Sequence, residues 1–236
     1  MNPVRVPTKA VFFDVDFTLI HPGPRFLGEG YRAFCARHGI DVDAAKFAQG
    51  VASAAPLLDG PEDARYDDTI FVKYIRLIIE QMGGRGPRLD DCAREIDAEW
   101  AACRHFELYD DVAPVLREIA GTGTRIGLIS NSHRCLASFQ SHFELQGLIS
   151  ATVSSSEHGF MKPHPSIFAA ALRLVDVKAR EAVMVGDSLK QDVEGALRAG
   201  MRAVLLQRGE AAPVRREDVP VIRSLTELPE LIERLG

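Results

Sequence analysis

Apolar positions along this 236-residue chain follow two patterns that occupy different stretches. Short apolar runs, the mark of strands buried on both faces of a parallel sheet, occur at Ala10-Val11-Phe12-Phe13, from Ile126 to Ile129, at Ala182-Val183-Met184-Val185 and from Arg202 to Leu206. Between residues 21 and 109 the apolar residues instead recur at helical steps. Ile70, Phe71, Tyr74, Ile75, Ile78, Ile79 and Met82 predict a helix ended by Gly83-Gly84, and Cys92, Ile96, Trp100 and Cys103 predict a second. Phe26, Tyr31, Phe34 and Cys35 suggest a third helix, and Phe47 to Leu58 a fourth; no strand is expected in this stretch. His21-Pro22-Gly23-Pro24 reads as the turn where one pattern gives way to the other. Helical spacing returns from Ser166 to Val175 and in a closing helix from Leu225 to Leu235. The expected fold is α/β: a doubly wound parallel sheet from residues 1–20 and 110–236, interrupted after its first strand by an all-helical insert, 21–109.

Polar residues that handle anions or cations stand where the apolar runs stop. Asp14 and Asp16 follow the first run, and in an open parallel sheet that carboxyl edge is where ligands bind. If the chain stays extended there, both carboxylates point the same way and together favour a cation. The second run leads into Ser130-Asn131-Ser132, and the third into Gly186-Asp187-Ser188, with Asp192 four residues beyond Ser188; Lys162 precedes the Ser166 helix. Singly, each has an ordinary structural explanation as a strand end, a helix cap or a surface lysine. Their order along one chain is much harder to explain that way.

This ordered set resembles the haloacid dehalogenase superfamily, a group of mostly phosphate-transferring hydrolases, over the whole chain. Its first motif is a hydrophobic run followed by Asp, any residue, Asp, Gly, Thr; Asp14, Asp16 and Thr18 match, and Phe17 stands where Gly is usual. Ser130 matches the second motif and Lys162 the third, while Gly186, Asp187 and the later Asp192 match the fourth. The resemblance implies a Rossmann-like core with a helical-bundle cap. It also implies that Asp14 is the nucleophile, forming an aspartyl-phosphate, and that Asp16 exchanges protons with the leaving alkoxide and the attacking water. Mg²⁺ would be held by the Asp14 carboxylate, the Asp16 backbone carbonyl and Asp187. Ser130 and the backbone N–H of Asn131 would bind a phosphate oxygen, and Lys162 would neutralise Asp14 and the phosphoryl group. Thr18, Gly186 and Asp192 would support these groups, Asp192 by orienting Lys162 or the metal's water ligands.

A small phosphorylated metabolite is the expected substrate and phosphate-ester hydrolysis the expected reaction. Relatives that dehalogenate 2-haloacids carry a non-acidic residue at the Asp16 position, because halide leaves without a proton. Phosphonate hydrolysis employs a cap lysine, for which Lys46 and Lys73 are the candidates, and usually lacks the second Asp. A sugar phosphomutase shares all four motifs and is the nearest rival. A non-catalytic phosphate-binding regulator would have lost a catalytic carboxylate, and none is missing.

Charge narrows the partners further. Lys and Arg number 28 against 33 Asp and Glu, with no basic stripe, so nucleic-acid binding is not expected and phosphate recognition must be local. No run reaches membrane-spanning length, and residues 1–9 lack the apolar core of a signal peptide, so a cytoplasmic location is expected. Cys35, Cys92, Cys103 and Cys135 have no metal-binding spacing and are expected as reduced, packed thiols. His21, His133, His158 and His164 lie near motifs but read as loop or surface groups, and Arg25, Tyr31, Arg65, Tyr66 and Lys73 are candidates for substrate contact by location alone.

Overall fold

A computed structural model describes residues 6–58, 65–209 and 219–235. Among these residues eight strands occur in chain order: β1 (Ala10–Phe13), β2 (Ile20–Pro22), β3 (Phe106–Leu108), β4 (Arg125–Ser130), β5 (Ile149–Ser154), β6 (Ala182–Gly186), β7 (Arg202–Leu206) and β8 (Val221–Ile222). Six of them form one parallel sheet in the order β5-β4-β1-β6-β7-β8. All four β1 residues are fully buried, as continuous apolar sequence requires of a strand covered on both faces. Phe12, Ile129, Val153, Phe168, Met184 and Val193 belong to one core cluster against this sheet. Gly127 is part of that fit: a Cβ there would lie 2.4 Å from the Phe12 ring, so only glycine lets the ring lie across β4.

The chain builds outward from β1 through β4 to β5, then returns to add β6 on the other side of β1. The carboxyl end of β1 is therefore the topological switch point, where neighbouring crossovers part and leave a crevice for a ligand.

Contacts divide the chain into two compact units, one bounded at His21 and Leu108 and containing the six-stranded sheet, the other running from Pro22 to Glu107 apart from a short excursion that ends at Arg65. The second unit contains helices α1 (Gly28–Arg37), α2 (Phe47–Ala54), α3 (Ile70–Gln81) and α4 (Leu89–Ala101). Its core includes Ile75, Ile78 and Ile79 of α3, Cys92 and Ile96 of α4, and the Phe26 ring, which packs against Phe34, Trp100 and Phe106. Gly83, at φ 100°, ends α3.

Three sequence expectations change. The stretch from 21 to 109 is not wholly helical, because Ile20–Pro22 and Phe106–Leu108 pair as a two-stranded sheet where the chain leaves and returns. The helix expected through Leu58 ends at Ala54 and continues as a 3-10 turn, Ala55–Leu58. Cys35, Cys92 and Cys103 are buried free thiols as expected, but Cys135 is exposed and caps helix Leu136–His142 by accepting from the Ser138 N–H. No helix among the described residues is long and apolar enough to cross a membrane.

Candidate active site

The six-stranded unit gathers its chemistry at the carboxyl ends of β1, β4 and β6. β1 stops at Phe13, and Asp14 keeps the sheet register by donating its N–H to the Val185 carbonyl at 2.9 Å. Beyond Asp16 the chain is no longer extended. The Phe17 N–H donates to the Ile20 carbonyl at 2.7 Å, and Phe17 adopts φ 64° with its side chain 45% exposed. The residue standing for the usual glycine thus takes the left-handed conformation glycine would take more cheaply. Thr18 is fully buried, and its hydroxyl has no hydrogen-bond partner among the described residues. Arg208 grips the same turn, donating to the Thr18 carbonyl from Nε at 3.2 Å and Nη2 at 2.9 Å and to both Asp111 oxygens at 3.0 and 2.9 Å. Its guanidinium lies 3.7 Å from the Tyr109 ring centroid, so one cation ties the point where the chain leaves the core to the point where it returns.

Lys162 occupies the centre of the site with its side chain 1% exposed. Its Nζ donates to Asp14 Oδ1 at 2.7 Å and to Asp192 Oδ1 at 2.6 Å. Burial works to lower the Lys162 ammonium, but Asp14 and Asp192 outweigh it and raise it above the usual lysine range. Asn131 fixes the backbone of this lysine from both sides: its Oδ1 accepts from the Lys162 N–H at 2.6 Å, and its Nδ2 donates to the Lys162 carbonyl at 2.9 Å and to Gln191 Oε1 at 3.1 Å. Beside it, the Ser130 and Ser132 hydroxyls are hydrogen-bonded at 2.9 Å.

Asp192 lies on a six-residue π-type turn, Leu189–Glu194, with Oδ2 accepting from the Ser188 N–H at 3.0 Å. Gly186 is required beneath it, since a Cβ at that position would lie 2.2 Å from Asp192 Oδ2. Carboxylate oxygens of Asp14, Asp187 and Asp192 lie within 4.8 Å of one another. Burial raises the Asp14 carboxyl above the usual range; Lys162 pulls it down, while Asp192 and Asp16 push it further up. Crowding by the surrounding protein raises Asp187, and so do the charges of Asp14 and Asp192. Because the Asp187 side chain is open to solvent, the like charges are the firmer cause.

Asp16 is separate from this trio in its partner. A single Arg134 nitrogen, Nη1, donates to both Asp16 oxygens at 2.9 Å each. Lys162 thus pairs with Asp14 and Asp192, and Arg134 with Asp16, so with Asp187 the four carboxylates outnumber these two buried cations. An all-oxygen donor set with a surplus of negative charge fits a hard divalent cation such as Mg²⁺.

Asp14, Lys162, Asp187 and Asp192 therefore meet in one cluster, with Asn131 and Gly186 bracing it. Asp14 and Asp16 follow the carboxyl end of β1 as expected, but they take different cations, Lys162 and Arg134, and the chain turns at Phe17, directly after them. Arg134, Gln191 and Arg208 carried no sequence signal beyond their residue type. Several guessed contacts have other duties. Tyr31 is 2% exposed and packs on Phe47, Lys73 pairs with Asp67 at 2.9 Å, and Arg25 lies over the Phe34 ring. Arg65 lies over the Phe160 ring, and His158 and His164 both hydrogen-bond Ser166, at 2.8 and 2.7 Å, near the start of helix Pro165–Leu174.

Known proteins resemble this sequence over nearly all of its length. Glyceraldehyde 3-phosphate phosphatase of Pyrococcus furiosus is 28% identical over 248 residues, covering 96% of this chain and 92% of that protein. Human N-acylneuraminate-9-phosphatase is 28% identical over 243 residues, covering 96% and 94%. Among solved structures, a 2-haloacid dehalogenase from Pseudomonas syringae pv. Tomato superposes with a TM-score of 0.62 at 26% identity, covering 97% of this chain and 100% of that one. The family model for haloacid dehalogenase-like hydrolases matches residues 8–200, from just before β1 to just before β7. A match that takes in every residue of the cluster at the switch point leaves one conclusion: the chain belongs to the haloacid dehalogenase-like hydrolases.

Proposed function

We propose that this protein is a Mg²⁺-dependent phosphatase that hydrolyses a small phosphomonoester through a phosphoryl group carried on Asp14. The observation that carries the reading is the pair of carboxylates on one turn: Asp14 against Lys162, and Asp16 two residues later on its own cation. A dehalogenase has no use for the second acid, because halide leaves unprotonated. An alkoxide does not.

Asp14 attacks phosphorus in line and its carboxylate becomes an acyl phosphate as the bond to the leaving oxygen breaks. Asp16 gives its proton to that oxygen. It then takes a proton from the water that attacks phosphorus, which restores Asp14 and releases inorganic phosphate. Lys162 offsets charge on Asp14 and on the phosphoryl oxygens, and the Ser130 hydroxyl and Asn131 backbone N–H donate to those oxygens. Asp14, Asp187 and the Asp16 carbonyl would hold Mg²⁺. Bound there, the ion supplies positive charge that keeps the crowded Asp14 ionised and balances the equatorial oxygens. Asp192 supports the site by orienting Lys162, to which it is already bonded.

The helical unit, inserted between β1 and β4, is assigned the part of a cap that selects the substrate and excludes water. The two curated relatives described above are named for small phosphorylated sugar derivatives, which supports a substrate of that class. The test is hydrolysis of an aryl phosphate with Mg²⁺, with Mg²⁺ chelated, and by Asp14→Asn, followed by a panel of phosphorylated metabolites. Turnover that needs both Mg²⁺ and Asp14 is expected. A folded protein inert toward the aryl phosphate and the whole panel overturns the reading.

A further inference from the structure

The side chain of Arg134 is 1% exposed, yet its partner Asp16 retains 20% exposure of its own. Arginine buried to this degree is costly unless its charge is met, and here a single nitrogen lies equidistant from both Asp16 oxygens. Arg134 stands four residues after Ser130, on the loop whose start is held by the Ser130–Ser132 hydrogen bond and by the Asn131 side chain clamped on Lys162. The loop that is to hold the phosphoryl oxygens is thus the loop that holds the proton-transferring acid.

Guanidinium donates hydrogen bonds and accepts none. When Asp16 carries a proton, that O–H cannot point at Arg134 and must lie on the side turned away from it. We propose that Arg134 is a positioning residue: by fixing the Asp16 carboxylate from one side, it directs the acid's proton toward the leaving oxygen. The inference rests on the reading of Asp16 as the acid and base, and the experiment separates the two.

Leaving-group dependence isolates this role. p-Nitrophenoxide departs with little help from an acid, whereas an alkoxide needs a proton as it leaves. kcat and KM are measured for wild type, Arg134→Gln, Arg134→Lys and Asp16→Asn on p-nitrophenyl phosphate and on the best alkyl phosphate of the panel. Acid–base catalysis contributes about 10²- to 10⁴-fold, so Arg134→Gln is expected to lower kcat/KM, which reports the steps through departure of the leaving group, at least about tenfold more on the alkyl ester than on the aryl ester. Arg134→Lys, which keeps a donor in place, is expected to recover part of that selective loss and guards against a Gln variant that does not fold. Asp16→Asn should show the same selectivity, more strongly.

Equal losses on the two esters in Arg134→Gln, or in Arg134→Lys where Gln does not fold, overturn the proposal, since a merely structural or phosphate-binding role moves both alike. An alkyl-ester rate that rises also overturns it and makes the contact a lock rather than a guide. If Asp16→Asn is itself unselective, the acid–base reading fails and the proposal with it. A selective Asp16→Asn beside an unselective Arg134→Gln overturns the proposal alone.

Discussion

Replacing Lys162 by Met removes the central charge while keeping the length of the side chain, and the structure sets the size of the effect. Lys162 is almost completely buried, and its ammonium is shared by Asp14 at 2.7 Å and Asp192 at 2.6 Å, both buried. Removing one partner of a buried ion pair costs about 3–5 kcal/mol, because the other charge is left uncompensated. Two carboxylates left behind put the metal-free protein near the upper end of that range where both are ionised. Asp14 can escape by taking up a proton, which makes the loss depend on pH. Without the ammonium its folded pKa, already raised by burial, rises further above the unfolded one. A group of that kind is least costly below the unfolded carboxylate value, and its contribution to stability falls as pH rises through the folded one. Urea melts followed by far-UV circular dichroism, without Mg²⁺, should therefore show Lys162→Met about 3–5 kcal/mol less stable at pH 8 and clearly less affected at pH 5. A loss that is the same at both pH values, or below about 1 kcal/mol at pH 8, would refute the reasoning by showing that the carboxylates never depended on this lysine.

Other perturbations test the neighbouring parts. Gly186→Ala places a methyl 2.2 Å from Asp192 Oδ2, so Asp192 must leave Lys162; a stability loss of about 1–3 kcal/mol with more than about tenfold lower phosphatase activity is expected, measured by melting and by aryl phosphate turnover. Asp14 and Asp187 are raised in the metal-free protein, so their ionisation destabilises it increasingly as pH climbs through the raised values. The stabilisation by added Mg²⁺, measured in urea melts, should consequently grow from pH 5 to pH 8, reaching about 2.7 kcal/mol at a hundredfold excess over Kd, and should be lost in Asp187→Asn. Arg208→Ala takes the guanidinium from the Thr18 carbonyl and from Asp111, which keeps only its bonds from Ser224 and Leu225, and should cost roughly 2–3 kcal/mol in the same urea assay.

Strands buried on both faces were legible because they need no partner to look apolar: β1, β4, β6 and β7 all stand where unbroken runs occur. β5 carries no such signal, since Ile149–Ser154 is an edge strand in which exposed Ser150 and half-buried Thr152 alternate with the apolar residues. β2 and β3 span three residues each, too short for a two-residue period to register. At the site, residues that follow strand ends could be placed in order along the chain, and Asp14, Lys162, Asp187 and Asp192 do come together. What could not be read was the path of the loops between them. Nothing in Ser-His-Arg says that the arginine folds inward onto Asp16, and nothing in Asn131 says that its side chain clamps Lys162 while its backbone stays available to a phosphate. Phe17 hid the turn that follows the two acids, because a bulky residue is a poor advertisement for a left-handed backbone.

The central claim is that the phosphoryl group passes through Asp14, and direct capture of that species tests it most closely. Asp16→Asn is mixed with an aryl phosphate and Mg²⁺, where departure needs little acid but attack by water has lost its base, and the reaction is stopped in acid after milliseconds to seconds. Mass spectrometry of the digested protein should find one added phosphoryl group on Asp14, absent when Asp14→Asn is combined with the same change. Turnover without any phosphorylated peptide, or a phosphoryl group on a different residue, would contradict the account.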